Sequence, residues 1–316
     1  MSGAGKAAGD GAALDGPAGE SRCGFVAIVG APNVGKSTLV NRLVGSKVSI
    51  VSPKVQTTRS RILGIALRGA CQIILVDNPG FFQPRSRLDA AMVNTAWRSM
   101  NDADVIVLLV DSGRGIDAAV AEVAQWLKQT GREGIAVLNK VDAVEKPLLL
   151  GLAAELQALA VFGRILMVSA LRGDGVDDLA DHLSNLLPAG PWLFPADEVS
   201  DAPISFLAAE ITREKLFWQL QQEVPYACAV RTEVCQERAD GSLRIEQIII
   251  VERSGQKGIL IGKGGQQLRR IGEAARQDLA HLLDRPVHLF LRVLVREKWR
   301  ESPLSRQWHR LDPPTA

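Results

Sequence analysis

The sequence predicts an α/β fold, a doubly wound, mostly parallel six-stranded sheet followed by a small α+β module. Three observations carry that prediction. From Gly24 to about Pro188, short apolar runs alternate with helical stretches, as in a sheet with helices on both faces. A glycine-rich turn over 30–37 joins the first apolar run directly to a helix. Four prolines, Pro188, Pro191, Pro195 and Pro203, then interrupt the pattern, since proline neither continues a helix nor donates to a ladder.

Taken in order, the apolar runs predict strands over 25–29, 62–67, 72–76, 105–110, 135–138 and 165–168. Helices are expected over 36–44, 118–129, 148–162 and 176–187. Arg68, Gly69 and Ala70 alone separate the second and third strands, which suits a hairpin and so one antiparallel edge strand. Beyond the prolines the pattern gives a helix (205–222), strands (226–233 and 243–251), a glycine-rich turn (255–265), a long helix to about 283 and a last strand (287–295). The expected division is a disordered tail at 1–22, a first domain at 23–188, a linker at 189–203, a second domain at 204–297 and a basic tail at 298–316.

Of the 316 residues, 47% are hydrophobic and 23% charged, which excludes a disordered chain. No apolar run approaches the roughly 20 residues that a bilayer span needs. Cys23, Cys71, Cys228 and Cys235 form no C-x-x-C pair, so neither a disulfide framework nor a zinc site is expected, and a reducing cytoplasm is the simplest home. The net charge of +2 conceals a gradient, because residues 252–310 hold 13 Lys+Arg against 6 Asp+Glu. The second module is therefore basic, which suggests a polyanionic partner; a plain solvated face is the alternative.

Gly30, Ala31, Pro32, Asn33, Val34, Gly35, Lys36 and Ser37 fit G-x-x-x-x-G-K-[ST], the P-loop pattern, with a strand before and a helix after. In such a loop backbone N–H groups face phosphates, Lys36 supplies charge to the β and γ groups, and Ser37, followed by Thr38, ligates Mg²⁺. Asp77, Asn78, Pro79 and Gly80 fit D-x-x-G at a strand end, where Asp77 can hold Mg²⁺ through water and the Gly80 N–H can meet a γ-phosphate. Asn139, Lys140 and Asp142 form N-K-x-D, again at a strand end. The Asp142 carboxylate can accept from N1–H and the 2-amino group of guanine, whereas adenine offers it no such pair, so GTP is favoured over ATP. Ser169 and Ala170 are expected to back the base.

These motifs, in this order, make the chain resemble the translation-factor-like GTPases and, within them, the Era family. The resemblance spans about 24–299. It implies that Gln56, Thr57, Thr58 and Arg59 form a first switch segment in which Thr58, beside Thr57, closes on Mg²⁺. Catalytic roles then fall to Lys36, Thr58 and Gly80. The resemblance also suggests that Asn33 helps to bind K⁺; a plain turn asparagine is the alternative. Phe81 stands where many GTPases carry a water-orienting Gln, so slow intrinsic hydrolysis is expected. Asn78 replaces the Thr usual in the family.

In the second module, Gly262, Lys263, Gly264 and Gly265 form a G-x-x-G loop ahead of helically spaced Leu268, Ile271, Ala275, Leu279 and Leu282, which read as core. Arg253, Lys257, Arg269 and Arg270 flank the loop and can pair with phosphates. The segment resembles a KH domain of type II, whose loop binds about four single-stranded nucleotides. Trp299 and Trp308, among basic residues, suit either base stacking or packing. The family resemblance implies the 3′ end of small-subunit ribosomal RNA and the small ribosomal subunit as partners, and assembly of that subunit as the role. It also permits peripheral membrane association, and a monomer is expected. Two alternatives stand beside this reading: an RNA-binding GTP/GDP sensor with negligible turnover, and a GTPase acting in RNA modification.

Overall fold

A computed structural model describes residues 21–84 and 86–311. The tail expected at 1–22 lies outside the described residues except at its end, where Arg22 already belongs to a strand. The first half contains β1 (Arg22–Val29), α1 (Lys36–Val44), β2 (Ile62–Arg68), β3 (Cys71–Asp77), α2 (Arg87–Asp102) and β4 (Val105–Asp111). It continues through α3 (Ala118–Thr130), β5 (Gly134–Asn139), α4 (Lys146–Ala158), β6 (Phe162–Val168) and α5 (Val176–Leu186). The sheet order is β2-β3-β1-β4-β5-β6, parallel throughout except for the β2–β3 hairpin, as the short Arg68–Ala70 connection required. β3 and β5 are buried at every position, the mark of strands covered by helices on both faces. The strand order reverses beside β1, so the crevice for a ligand opens at the carboxyl ends of β1 and β4.

The second half contains α6 (Ile204–Gln219), β7 (Ala229–Glu237), β8 (Leu243–Val251), α7 (Ser254–Ile261), α8 (Gln266–Leu282), β9 (Val287–Val295) and a short α9 (Pro303–Trp308). β7 and β8 are antiparallel, β8 and β9 parallel. Apolar side chains of α6, α7 and α8, among them Leu216, Leu260 and Ile271, pack on the sheet with Ile249 and Val251.

Several elements depart from the pattern read in the sequence. The α2 helix was not expected, because its buried face mixes Leu88, Met92, Ala96 and Met100 with Thr95 and Ser99. Those two hydroxyls donate to carbonyls one turn back, which lets them sit in a core. The helix expected over 148–162 stops at Ala158, and Ala160 takes a left-handed φ of 54°, so that Phe162 opens β6 instead. The helix expected to 222 ends at Gln219, and the strand expected from 226 starts at Ala229 because 223–228 is folded into turns on Pro225 and Glu223. Within the expected glycine-rich turn lies α7, whose two glycines disguise a helix anchored by the fully buried Leu260.

The proline-rich stretch is strapped to the outer edge of the first sheet. Buried Gln72 accepts from Leu193 N and Phe194 N at 2.9 and 3.0 Å and donates to Phe194 O at 2.8 Å. Ile65 N donates to Val199 O at 2.9 Å, and Leu63 N to Asp201 Oδ1 at 3.1 Å. The reading of 298–316 as a tail is corrected over 299–311. There Trp299, fully buried, donates from Nε1 to Ala227 O at 3.0 Å and packs with Leu88 and Met92 of α2, Ile248 and Ile250 of β8, and Leu311. Packing, not base stacking, therefore accounts for Trp299, and Trp308 rests against the same cluster.

Candidate nucleotide site and basic groove

The turn after β1 is shaped by Gly35, which sits at φ 101° with Asn139 so close that a Cβ would lie 2.3 Å from its Nδ2. No side chain fits there. That contact locks the loop to the end of β5, where Asn139 Nδ2 donates to Val34 O at 2.7 Å and Asn139 Oδ1 accepts from Ala170 N at 3.0 Å. The Ala170 N–H, expected to back a base, is thus engaged by Asn139. Ala31 and Val34 point into the core, so these positions offer backbone rather than side chain to a ligand. Lys36 is buried, with Nζ 3.1 and 2.9 Å from the carbonyls of Gly30 and Ala31. Burial lowers its pKa to about 8 against the opposing pull of Asp77 and Asp117.

Three oxygens meet beside Lys36. Ser37 Oγ donates to Asp77 Oδ2 at 2.7 Å and lies 2.8 Å from Thr58 Oγ1. Asp77 is fully buried, and its Oδ1 has no hydrogen-bond partner among the described residues. Burial pushes this carboxyl above the usual range, opposed by Ser37 and Lys36. A buried carboxylate with a free oxygen beside two hydroxyls suits a hard divalent cation, so the residues fit Mg²⁺. Gly80 lies against the loop, where an added Cβ would come within 2.8 Å of Pro32 N. Asn78 turns inward, toward the carbonyls of Val76 and Ile28 at 3.2 and 3.5 Å, so its side chain braces the sheet rather than the site. Phe81 is also buried, its ring 4.4 Å from that of Trp97.

At the other end of the crevice, Lys140 crosses the loop, its Nζ 2.7 Å from both Asn33 O and Asp111 Oδ2. The Ser169 hydroxyl and then the Arg172 guanidinium, 3.6 Å away, hold the Asp142 carboxyl below the usual carboxylate range. Asp111, Arg114 and Arg172 escaped the sequence reading because they fall outside the motifs; Arg114 donates to Pro32 O at 2.9 Å and so braces the phosphate loop. Asn33 reaches away from the loop, donating from Nδ2 to Pro53 O at 2.9 Å. Thr57 lies next to Thr58 but turns to Ser52 Oγ and Lys54 O.

In the second half, Gly262 to Gly265 form the junction of α7 and α8. Gly262 has φ 71°, and a Cβ would sit 2.8 Å from that of Gln267. From this loop a groove runs between α8 and β9, floored by Leu268, Gly272, Leu289 and Leu291 and edged by Arg269, Glu273 and Arg276. Gly272, Arg276 and the two β9 leucines were not singled out in the sequence, and Leu268, read as core, forms part of this floor. The expected basic residues divide. Arg269 is exposed along the groove, Lys263 is exposed in the loop at its end, Arg270 is exposed beside Arg269 on α8, Lys257 is half-buried, and Arg253 lines a separate cleft with Ser86, Lys298 and Arg300.

Comparison with known proteins matches residues 25–140 to the 50S ribosome-binding GTPase family and residues 223–300 to the KH domain. GTPase Era of Rhizobium meliloti (strain 1021) is 55% identical over 283 residues, 90% of each chain. GTPase Era of Brucella suis biovar 1 (strain 1330) is 50% identical over 296 residues, 94% of this chain and 95% of that one. Among solved structures, Era in complex with MgGDPNP and nucleotides 1506–1542 of 16S ribosomal RNA superposes with a TM-score of 0.87 at 40% identity, covering 92% of this chain and 98% of that one. A variant of Aquifex aeolicus Era bound to GDP and aluminium fluoride gives the same score and identity over 91% and 98%.

Proposed function

The chain belongs to the Era family of GTPases, and from that membership we propose that it is a GTP-hydrolysing switch that binds the single-stranded 3′ end of small-subunit ribosomal RNA and assists assembly of the small ribosomal subunit. The observation that carries the nucleotide half of the reading is the meeting of Ser37, Thr58 and Asp77 beside Lys36. Residues 23–188 form the GTPase domain in this reading, and 204–297 the KH domain.

Ser37, Thr58 and Asp77 would hold Mg²⁺, which when bound would supply positive charge to the β and γ phosphates. Lys36 trades its two loop carbonyls for phosphate oxygens. Phosphate also favours its charged form, which burial opposes. Gly80 offers its N–H to the γ-phosphate, with room for that approach only because it lacks a Cβ. Asp142, held ionised by Ser169 and Arg172, accepts from guanine. Hydrolysis adds water to the γ-phosphorus and releases GDP and phosphate. The water-orienting side chain is not Phe81, which is packed on Trp97, so turnover without a partner is slow. We assign K⁺ to the side-chain oxygen of Asn33, whose Nδ2 donates to Pro53 O just ahead of the first switch segment.

The groove along α8 and β9 takes RNA bases over the leucine floor while the glycine loop admits the sugar-phosphate backbone. Among the described residues no helix is long and apolar enough to cross a membrane. A cytoplasmic monomer, peripheral at most on the membrane, is the proposed state. The test pairs two measurements on the full chain. Single-turnover GTP hydrolysis should be faster in K⁺ than in Na⁺, and a single-stranded RNA carrying the small-subunit 3′-end sequence should bind in preference to a duplex. Equal rates in the two salts would remove the K⁺ assignment, and indifference to RNA strandedness would remove the KH one.

A further inference from the structure

The segment that carries Thr58 finds many of its polar anchors in the other half of the molecule. Val51 N donates to Glu214 Oε1 at 2.9 Å, and Trp218 Nε1 donates to Val51 O at 3.1 Å. Lys47 pairs with Glu214 at 2.6 Å, and the Lys54 ammonium is hydrogen-bonded to the carbonyls of Phe217 and Leu220. The deepest anchor is Arg59, only 3% exposed. Its Nη1 donates to Cys228 O at 2.8 Å, its Nη2 to Tyr226 O at 2.9 Å, and the guanidinium lies 5.7 Å from the centre of the Phe217 ring. One peptide bond therefore separates a hydroxyl in the metal cluster from a cation plugged into the base of the second domain.

We infer that the Thr58–Arg59 dipeptide is the element that couples the nucleotide to the RNA-binding domain, with Arg59 as its positioning residue. The inference rests on the GTP and KH reading above and adds the residue through which one site reaches the other. A guanidinium leaving water loses its hydration, and that loss is compensated when both carbonyls and the ring are in place. Half-docked positions are therefore disfavoured, and the domain is either seated on Arg59 or free of it. Triphosphate and metal hold Thr58 and so keep Arg59 seated; loss of the γ-phosphate releases the segment. Arg59 is seated and the groove between α8 and β9 is exposed in the same structure, and we assign this seated state as the one that binds RNA. The coupling is reciprocal: RNA raises affinity for the triphosphate by the same factor.

The test measures the affinity of the full chain for the 3′-end RNA with a non-hydrolysable GTP analogue and with GDP. The wild-type protein should bind RNA about tenfold more tightly with the analogue. In Arg59→Met the stem remains and the buried charge is gone, so the domain docks permanently or not at all, and either outcome brings the ratio close to one while GDP affinity is unchanged. Arg59→Lys, which keeps one charge and loses the fork, should retain part of the ratio. Trp218→Phe, at a largely exposed ring, removes the donor to Val51 O while keeping an aromatic side chain; it should also lower the ratio and does not depend on Arg59 variants folding. An unaltered ratio in Arg59→Met, with RNA affinity falling equally in both nucleotide states, would make Arg59 merely structural and overturn the inference. Equal RNA affinity in both states of the wild type would overturn it as well and leave the KH reading standing. Failure of the wild type to bind RNA at all would instead sink the KH reading.

Discussion

Asp142 and Lys36 show how much chemistry a single position carries. Asp142 stands ionised between Ser169 and Arg172, with both carboxylate oxygens able to accept. An amide in its place presents one acceptor and a donor that faces the donors of guanine. Asp142→Asn should therefore lower the preference for GTP over ATP by about ten- to a hundredfold, measured by competition binding. An unchanged preference would refute its role. Lys36→Ala removes the buried ammonium held by the loop carbonyls, and we expect loss of GTP binding with little loss of stability, since burial opposes the charge and offsets most of what its two hydrogen bonds contribute. These residues were legible because their motifs have fixed spacing at strand ends. Asn78 shows the limit of that legibility: it sits inside a motif, yet its side chain braces the carbonyls of Val76 and Ile28, which spacing alone does not reveal.

At the scale of elements, the sequence pattern found strands better than short or mixed helices. The six strands of the first sheet are apolar enough to stand out, and the hairpin follows from the length of the connection at Gly69. α2 and α7 were hidden for opposite reasons, one by polar residues that satisfy their hydroxyls within the helix, the other by glycines tolerated because Leu260 anchors the turn. The G-x-x-G loop was legible, but the groove beside it was not, since Leu289 and Leu291 come from β9, far along the chain. Its glycines also differ in what they tolerate. Gly262 has no space for a side chain, whereas Gly265, at φ 79°, has nothing within 4 Å of an added Cβ. Gly265→Asp should therefore cost only about 1–2 kcal/mol of stability from its left-handed backbone. It places a carboxylate where RNA phosphates would run, so RNA affinity should fall at least tenfold while GTP binding is kept. Undiminished RNA affinity in that variant would exclude the loop from the interface.

Across the whole molecule, the near-neutral charge hides an uneven distribution, and the junction of the two halves concentrates cations that the sequence could not bring together. Arg59 comes from the segment before β2, Arg213 from α6, and His309 from the end of α9. Arg213 is paired with Glu210, and Arg300 lies near Arg59. His309 is 2% exposed, and neither ring nitrogen has a partner among the described residues. Burial, then Arg59 and Arg213, hold its pKa well below the ordinary histidine value of 6.5. The folded protein therefore keeps this ring neutral where the unfolded chain already binds a proton. Stability from this group is complete above about pH 7.5 and is lost as the pH falls below about 6.5 toward the folded value, by close to 1.4 kcal/mol per pH unit. His309→Phe removes the titration. The stability difference between pH 7.5 and 5.5, measured by urea unfolding, should accordingly be smaller in the variant by about 1.4 kcal/mol. Parallel pH profiles for the two proteins would mean that His309 titrates alike folded and unfolded, and so that the junction admits solvent. A steeper profile in the wild type would mean that the junction closes over the histidine in solution, with three elements from both halves of the chain sealing one dry, cationic seam.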